Sequence, residues 1–262
     1  MTDSTFRLRG ENLTLGYGKK IIVRDLSVSI PDGHFTAIIG PNGCGKSTLL
    51  RTLSRLMSPV EGSVFLDGEQ IQRFASKEVA RRIGLLAQNA TTPGDITVQE
   101  LVSRGRYPHQ PLFTRWRKED DEAVKRAMQA TGITNLAQQS VDTLSGGQRQ
   151  ALTLLMATLK KPQILLLDEH TAALDPKTAA KVLQLSDEII AKNHLTAMMV
   201  THNMANAIEY GNRLIMMNNG KIIYDVKGEE KKKLTVDDLL QKFEEASGSA
   251  LNNDRMLLSG NK

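Results

Sequence analysis

Cysteine is nearly absent from this 262-residue chain: Cys44 stands alone, which excludes an intramolecular disulfide and fits a reducing compartment. No apolar run approaches the roughly 20 residues that a membrane helix needs, and no signal-peptide pattern opens the chain. A soluble protein is expected, reaching any membrane only through a partner. Aromatic residues make up only 4% of the total, with one tryptophan, and the net charge of +5 is spread over interspersed acids and bases. That balance gives a solvated surface rather than a basic stripe with stacking platforms, so no nucleic-acid partner is expected. What is plentiful is apolar residue, 40% of the chain, enough to bury a substantial core.

Glycine is concentrated where it carries information. Gly40-Pro41-Asn42-Gly43-Cys44-Gly45-Lys46-Ser47-Thr48 fits G-x-x-x-x-G-K-[ST], and it stands after the apolar stretch Phe35 to Ile39 and before the helical pattern Leu49, Leu50, Leu53, Leu56. Strand, glycine loop and helix in that order make a phosphate-binding loop. Backbone N–H groups turn inward around the β- and γ-phosphates, and the helix N-terminus adds its partial positive charge. Lys46 neutralises phosphate charge and Ser47 is placed to ligate Mg²⁺. Cys44 is read as a small loop filler, and alkylation of its thiol is expected to block the nucleotide.

A second anion cradle lies about a hundred residues on. Leu144-Ser145-Gly146-Gly147-Gln148-Arg149-Gln150 opens a long helix that Ser145 can cap, and its glycines leave amides exposed. Ile164 to Leu167 is a buried-strand run ending in Asp168-Glu169, and a strand end of this kind is where ligands bind in an open parallel sheet. His202 follows the apolar run Ala197 to Val200 and falls at the same sheet edge.

Taken together, these motifs resemble the ATP-binding cassette (ABC) ATPases, in the family's order and over nearly the whole chain. The resemblance implies an α/β fold: a P-loop NTPase with a RecA-like parallel sheet, an antiparallel β subdomain and a helical subdomain over about 89–155. Residues 1–228 form a single cassette on this reading, with 229–262 a charged linker, a short helix and a flexible tail. It also implies roles. ATP and Mg²⁺ are the cofactors; Tyr17 stacks on adenine and the 40–48 loop holds the phosphates. Ser47, Gln88 and Asp168 serve the metal. Glu169 is the general base, His202 holds the γ-phosphate and the attacking water, and Gln88 senses both metal and phosphate. Ser145, Gly146, Gly147 and Gln148 contact the ATP of a partner cassette, so that two copies close head to tail, and Asp175, in Ala173-Leu174-Asp175, links the two sites. The implied partners are a second copy, transmembrane permease subunits and, indirectly, a periplasmic or lipoprotein solute-binding protein. The implied location is cytoplasmic, peripheral on the inner face of the plasma membrane. A single P-loop and a short gap before Leu144 separate the chain from coiled-coil and twin-cassette relatives. A soluble non-transport ABC ATPase and a recombinant cassette without a transport role stay open as alternatives.

The basic residues divide unevenly. Residues 1–150 hold 14 Arg and 6 Lys, whereas 151–262 hold 2 Arg and 12 Lys. Surface Arg and Lys serve folding about equally well, so the switch suggests two sequence origins joined near Leu144 to Gln150, with one gene of drifting composition as the alternative. The first part, including Leu85 to Pro93 and Gly105-Arg106-Tyr107-Pro108, resembles ATPases of ferric-siderophore importers, of the ferric-enterobactin type. The second, with His170 where most members have proline, resembles those tied to tryptophan or other small-solute uptake.

Locally, several elements are readable. Leu26, Val28 and Ile30 alternate with Ser27 and Ser29 as a half-buried strand before Pro31-Asp32-Gly33, and Ser63 to Leu66 predicts another ending at Asp67-Gly68. Thr97 to Glu100 is a capping box opening a helix, and 119–130 is a second helix stopped by Gly132. Pro176 starts a helix to about Lys192 and Leu195 to Val200 is a strand. Asn218-Asn219-Gly220 predicts a hairpin between Arg213 to Met217 and Lys221 to Val226, and Thr235 with Asp238 caps a short helix.

Overall fold

A computed structural model describes residues 6–87, 96–109, 116–130, 133–159 and 162–247. Four strands make an antiparallel sheet in the order β2 (Lys20–Pro31), β1 (Phe6–Tyr17), β4 (Glu61–Leu66), β5 (Glu69–Gln70). The alternation seen in the sequence is real there, since Leu26, Val28 and Ile30 are buried and Ser27 is exposed. Asp67 (φ 50°) and Gly68 (φ 85°) both take the left-handed conformation that a two-residue hairpin turn demands.

Six strands make the second sheet in the order β10 (Lys221–Lys227), β9 (Arg213–Asn218), β3 (Phe35–Ile39), β8 (Thr196–Val200), β7 (Ile164–Asp168), β6 (Ile83–Leu86). The last five run parallel; β10 folds back on β9 through Asn219 (φ 46°) and Gly220 (φ 76°). Strands β3, β7 and β8 are buried at every position, which is why they read as unbroken apolar runs. One face of this sheet packs with α1 (Lys46–Leu53) and the antiparallel sheet in a core that includes Leu49, Leu50, Leu66 and Leu166. The other face packs with α6 (Pro176–Lys192), α7 (Met204–Glu209) and α9 (Val236–Ser247), around Leu167, Leu183, Met204 and Phe243.

A third, separate core joins α3 (Val98–Arg104), α4 (Lys118–Ala130) and α5 (Gly146–Leu159) through Val102, Val124, Met128, Leu152 and Leu155. The Thr97–Glu100 capping box is formed in both directions. Beside β6 lies α2 (Ser76–Arg82), whose Arg81 Nε donates to the Pro108 carbonyl at 2.7 Å.

Two expectations change. Leu56, placed in the helical pattern, is 67% exposed: α1 ends at Leu53, Arg55 turns left-handed (φ 63°) and the Leu56 amide closes back on the Arg51 carbonyl. The charged segment 228–233 is not an open linker. It contains the helical turn α8 (Glu229–Lys232), and Lys231 is buried, its Nζ donating to the carbonyls of Ile208, Tyr210 and Gly211 at 2.6, 3.0 and 3.0 Å. Those oxygens lie at the end of α7, where a helix leaves acceptors without partners of its own, and an ammonium satisfies them. Gly132 and the tail beyond Ser247 lie outside the described residues.

Candidate active site

The cleft is built where β3 meets α1. Gly40 (φ 151°) passes so close to β9 that a Cβ there would collide with the Met217 carbonyl, and Gly45 (φ 106°) lies against the Val23 side chain in the same way. Lys46 is the first residue of α1; it is only 4% exposed, and its Nζ donates to the carbonyls of Gly40 at 2.8 Å and Pro41 at 3.0 Å. The ammonium is thereby held against the loop that walls the cleft.

From α1, Ser47 Oγ donates to Asp168 Oδ1 at 2.8 Å, joining the helix start to the end of β7. Asp168 is buried. One neutral hydroxyl and one carboxylate are hard oxygen donors of the kind Mg²⁺ uses together with phosphates and water. Among the described residues no group of three His, Cys, Asp or Glu could hold a metal by itself, so these two fit a shared rather than a caged ion.

Glu169 follows with φ 45°, its amide donating to the Val200 carbonyl at 2.9 Å and its carbonyl accepting from Ala172 at 3.0 Å. The left-handed backbone of Glu169 and the turn closed by Ala172 end β7, and Glu169 lines the cleft. His202, after β8, brings its Nδ1 within 3.9 Å of Glu169 Oε2. The neighbours β7 and β8 place them together, at the shared sheet edge that the apolar runs before each residue suggest.

Tyr17 ends β1, half exposed, and its hydroxyl accepts from Arg51 at 3.4 Å. The walls of the cleft, about 610 Å³ in volume, are Tyr17, Ile22, Gly40 to Gly43, Gly45 to Thr48, Glu169, Ala172 and His202. Ile22 and Ala172 were not anticipated; only the β1–β2 register, with Gly16 opposite Ile21, brings Ile22 to the opening. Cys44 is the one loop residue whose side chain turns away: it is 4% exposed, belongs to the core beneath, and burial pushes its thiol up. Gln88 lies outside the described residues.

The second cradle is not part of these walls. Ser145 Oγ accepts from the Gln148 amide at 3.3 Å while Gln148 Oε1 accepts from the Ser145 amide at 2.9 Å, a reciprocal cap on α5. Ser145, Gly146 and Gln148 are exposed. Gly147 abuts Thr178, where any Cβ would collide, and Gly146 faces Leu174, so this turn packs on the segment that leads into α6. Asp175 caps α6 by accepting from the Thr178 amide at 3.1 Å, and the hydrogen bonds from Thr178 hold its carboxyl below the usual range.

A phosphate loop, a strand-end acid pair and a separate exposed cradle on one sheet are a constellation that can be compared directly. The sequence model of a family described as ABC transporter matches residues 23–172, more than half of the chain. The chain belongs to that family. The ABC protein FepC of Escherichia coli (strain K12), a ferric enterobactin transport ATP-binding protein, is 66% identical over 223 residues, 85% of this chain and 82% of FepC. The probable siderophore transport ATP-binding protein YusV of Bacillus subtilis (strain 168) is 43% identical over 220 residues, 84% of this chain and 80% of YusV. Among solved structures, a dimeric post-hydrolysis ATP-binding cassette bound to ADP and phosphate superposes with a TM-score of 0.72 at 27% identity, covering 84% of this chain and 98% of that one. The ABC chain is thus an ATP-binding cassette and an ATPase.

The FepC match is longer than either of the two parts into which the Arg and Lys balance divides the chain, so it runs across that division. The comparisons lend two origins no support. Among the described residues no helix is long and apolar enough to cross a membrane.

Proposed function

We propose that this cassette powers uptake of a ferric siderophore, or another small solute, through a separate permease on the cytoplasmic face of the plasma membrane. The named relatives act in ferric enterobactin and siderophore transport, which favours iron uptake over the non-transport ABC ATPases. A solute-binding protein would engage the permease rather than the cassette. The surface that would receive the permease is the helical subdomain and its boundary with the sheet core, within a single cassette that α8 and α9 carry past residue 228.

The roles we assign are these. Tyr17 stacks on the base, and the amides of Gly40 to Thr48 with Lys46 hold the phosphates. Ser47 and Asp168, with Gln88, would hold Mg²⁺, which supplies charge neutralisation at the phosphates when bound. Glu169 takes the proton of the attacking water, and His202 orients that water and the γ-phosphate. Little covalent work falls to the protein, so positioning and charge carry the rate. Ser145, Gly146, Gly147 and Gln148 complete the site of a second copy head to tail, with Asp175 at the crossing.

One observation carries the dimer: the Ser145–Gln148 cradle is exposed and off the walls of its own cleft. Hydrolysis should therefore rise with the square of protein concentration at high dilution, and a rate that stays proportional to protein there removes the shared site. Coexpression with siderophore permeases should give copurification and permease-dependent ATPase activity. Copurification with ribosomes or DNA instead would favour the non-transport reading.

A further inference from the structure

His170 directly follows Glu169, and the reaction as described leaves it without work. It is 4% exposed and faces away from the cleft into α6, where its Nε2 lies 3.2 Å from Ser186 Oγ. Ser186 is itself 1% exposed and donates its hydroxyl proton to the Val182 carbonyl at 2.8 Å. With its hydroxyl proton on Val182, Ser186 Oγ can accept from His170, the pairing that places the ring hydrogen on Nε2.

The bond matters because of what precedes it. Glu169 is a non-glycine residue at φ 45°, a conformation that persists only where the surroundings over-determine it. Its amide is tied to β8 through Val200, and the following turn is closed by Ala172 on Glu169 and by Leu174 on Thr171 at 3.1 Å. All of these bonds are backbone bonds. The His170 ring is the side-chain anchor one residue from the carboxylate, and it reaches an element, α6, whose N-cap is Asp175.

We propose that His170 is a positioning residue for hydrolysis: by donating to Ser186 it fixes the turn that aims the Glu169 carboxylate into the cleft. The inference rests on the reading of Glu169 as general base. It predicts an effect on the chemical step and little on nucleotide binding, because the phosphate loop and Tyr17 are separate elements.

The test uses the full chain with MgATP and four variants, His170→Leu, Ser186→Ala, their combination and His170→Gln, with Glu169→Gln in parallel. His170→Leu and Ser186→Ala should each lower kcat about tenfold, a part of the roughly 10²–10⁴ that a positioned base contributes, with KM within about twofold. The combination should be no slower than the slower single variant, since both remove one bond. His170→Gln, which keeps a donor at the same reach, should recover most of kcat. Unchanged kcat in both Ser186→Ala and His170→Leu, or equal loss in the Gln and Leu variants with parallel falls in Tm, would overturn the proposal. Should His170→Leu fail to fold, Ser186→Ala alone decides, because it removes a single oxygen from α6. Retained hydrolysis in Glu169→Gln would instead sink the base assignment, a result distinguishable from failure of the tether.

Discussion

Acid should unfold this cassette partly through His170. Burial lowers its pKa from 6.5 to about 4, because the ring lies buried between β7 and α6, its Nε2 against the Ser186 oxygen. In the unfolded chain the ring regains an ordinary pKa, so between pH 6.5 and 4 the unfolded state binds a proton that the folded state refuses. Stability therefore rises with pH across that window: the contribution is complete above pH 6.5 and is lost as pH falls toward 4. At about 1.36 kcal/mol per pH unit the loss is about 2 kcal/mol by pH 5 and about 3 kcal/mol at the lower end. That is a large share of the roughly 5–15 kcal/mol that holds a typical domain. The assay is urea unfolding of the metal-free, nucleotide-free protein at intervals from pH 7.5 to 5, wild type against His170→Gln. Glutamine keeps a donor but cannot titrate, and the remaining histidines cancel in the difference. The paired carboxylates do not interfere: Asp32, held at about 2 chiefly by its hydrogen bond from Arg7, titrates well below the window. The two stability curves should converge by about 2 kcal/mol on going from pH 7 to pH 5. Parallel curves would refute the reasoning, since they would mean that the folded protein accommodates the charged ring.

The remaining expectations are more direct. Glu169→Gln should bind ATP with parental affinity, lose turnover and accumulate as a dimer in size-exclusion chromatography; hydrolysis at the parent rate removes Glu169 from its role. Lys46→Ala removes an ammonium bonded to two loop carbonyls, so ATP affinity measured by calorimetry should fall roughly 10- to 100-fold, the worth of a charge-assisted bond, and an unchanged Kd counts against the phosphate site. Gly40→Ala must displace the end of β9, costing about 1–3 kcal/mol in urea unfolding; a neutral result contradicts the contact with Met217. Cys44, buried with its thiol pushed up, should react slowly with a maleimide in the folded protein and quickly in urea. Once alkylated it should no longer bind ATP, because any added bulk lies under the phosphate loop.

What the sequence determined by itself were the features whose bonds close within a few residues. The phosphate loop, the capping boxes at Thr97 and Thr235, the proline start of α6 and the Asn219-Gly220 turn each depend on residue types within one short stretch, and each is formed as read. The buried runs of β3, β7 and β8 announced a parallel sheet because strands covered on both faces leave no polar alternation. Only the tertiary structure decided what depends on strand order and register. The adjacency of β7 and β8 sets the 3.9 Å between His202 and Glu169 at an edge that the sequence already suggests, and the β1–β2 register brings Ile22 to the cleft. Close packing drew the Cys44 side chain into the core, and the open carbonyls at the end of α7 drew in Lys231 from a stretch that composition alone marks as solvated. A hydrogen bond between Ser186 and His170 obeys the same rule. Nothing in the sequence pairs the two residues, and the contact exists only because α6 folds back over the end of β7.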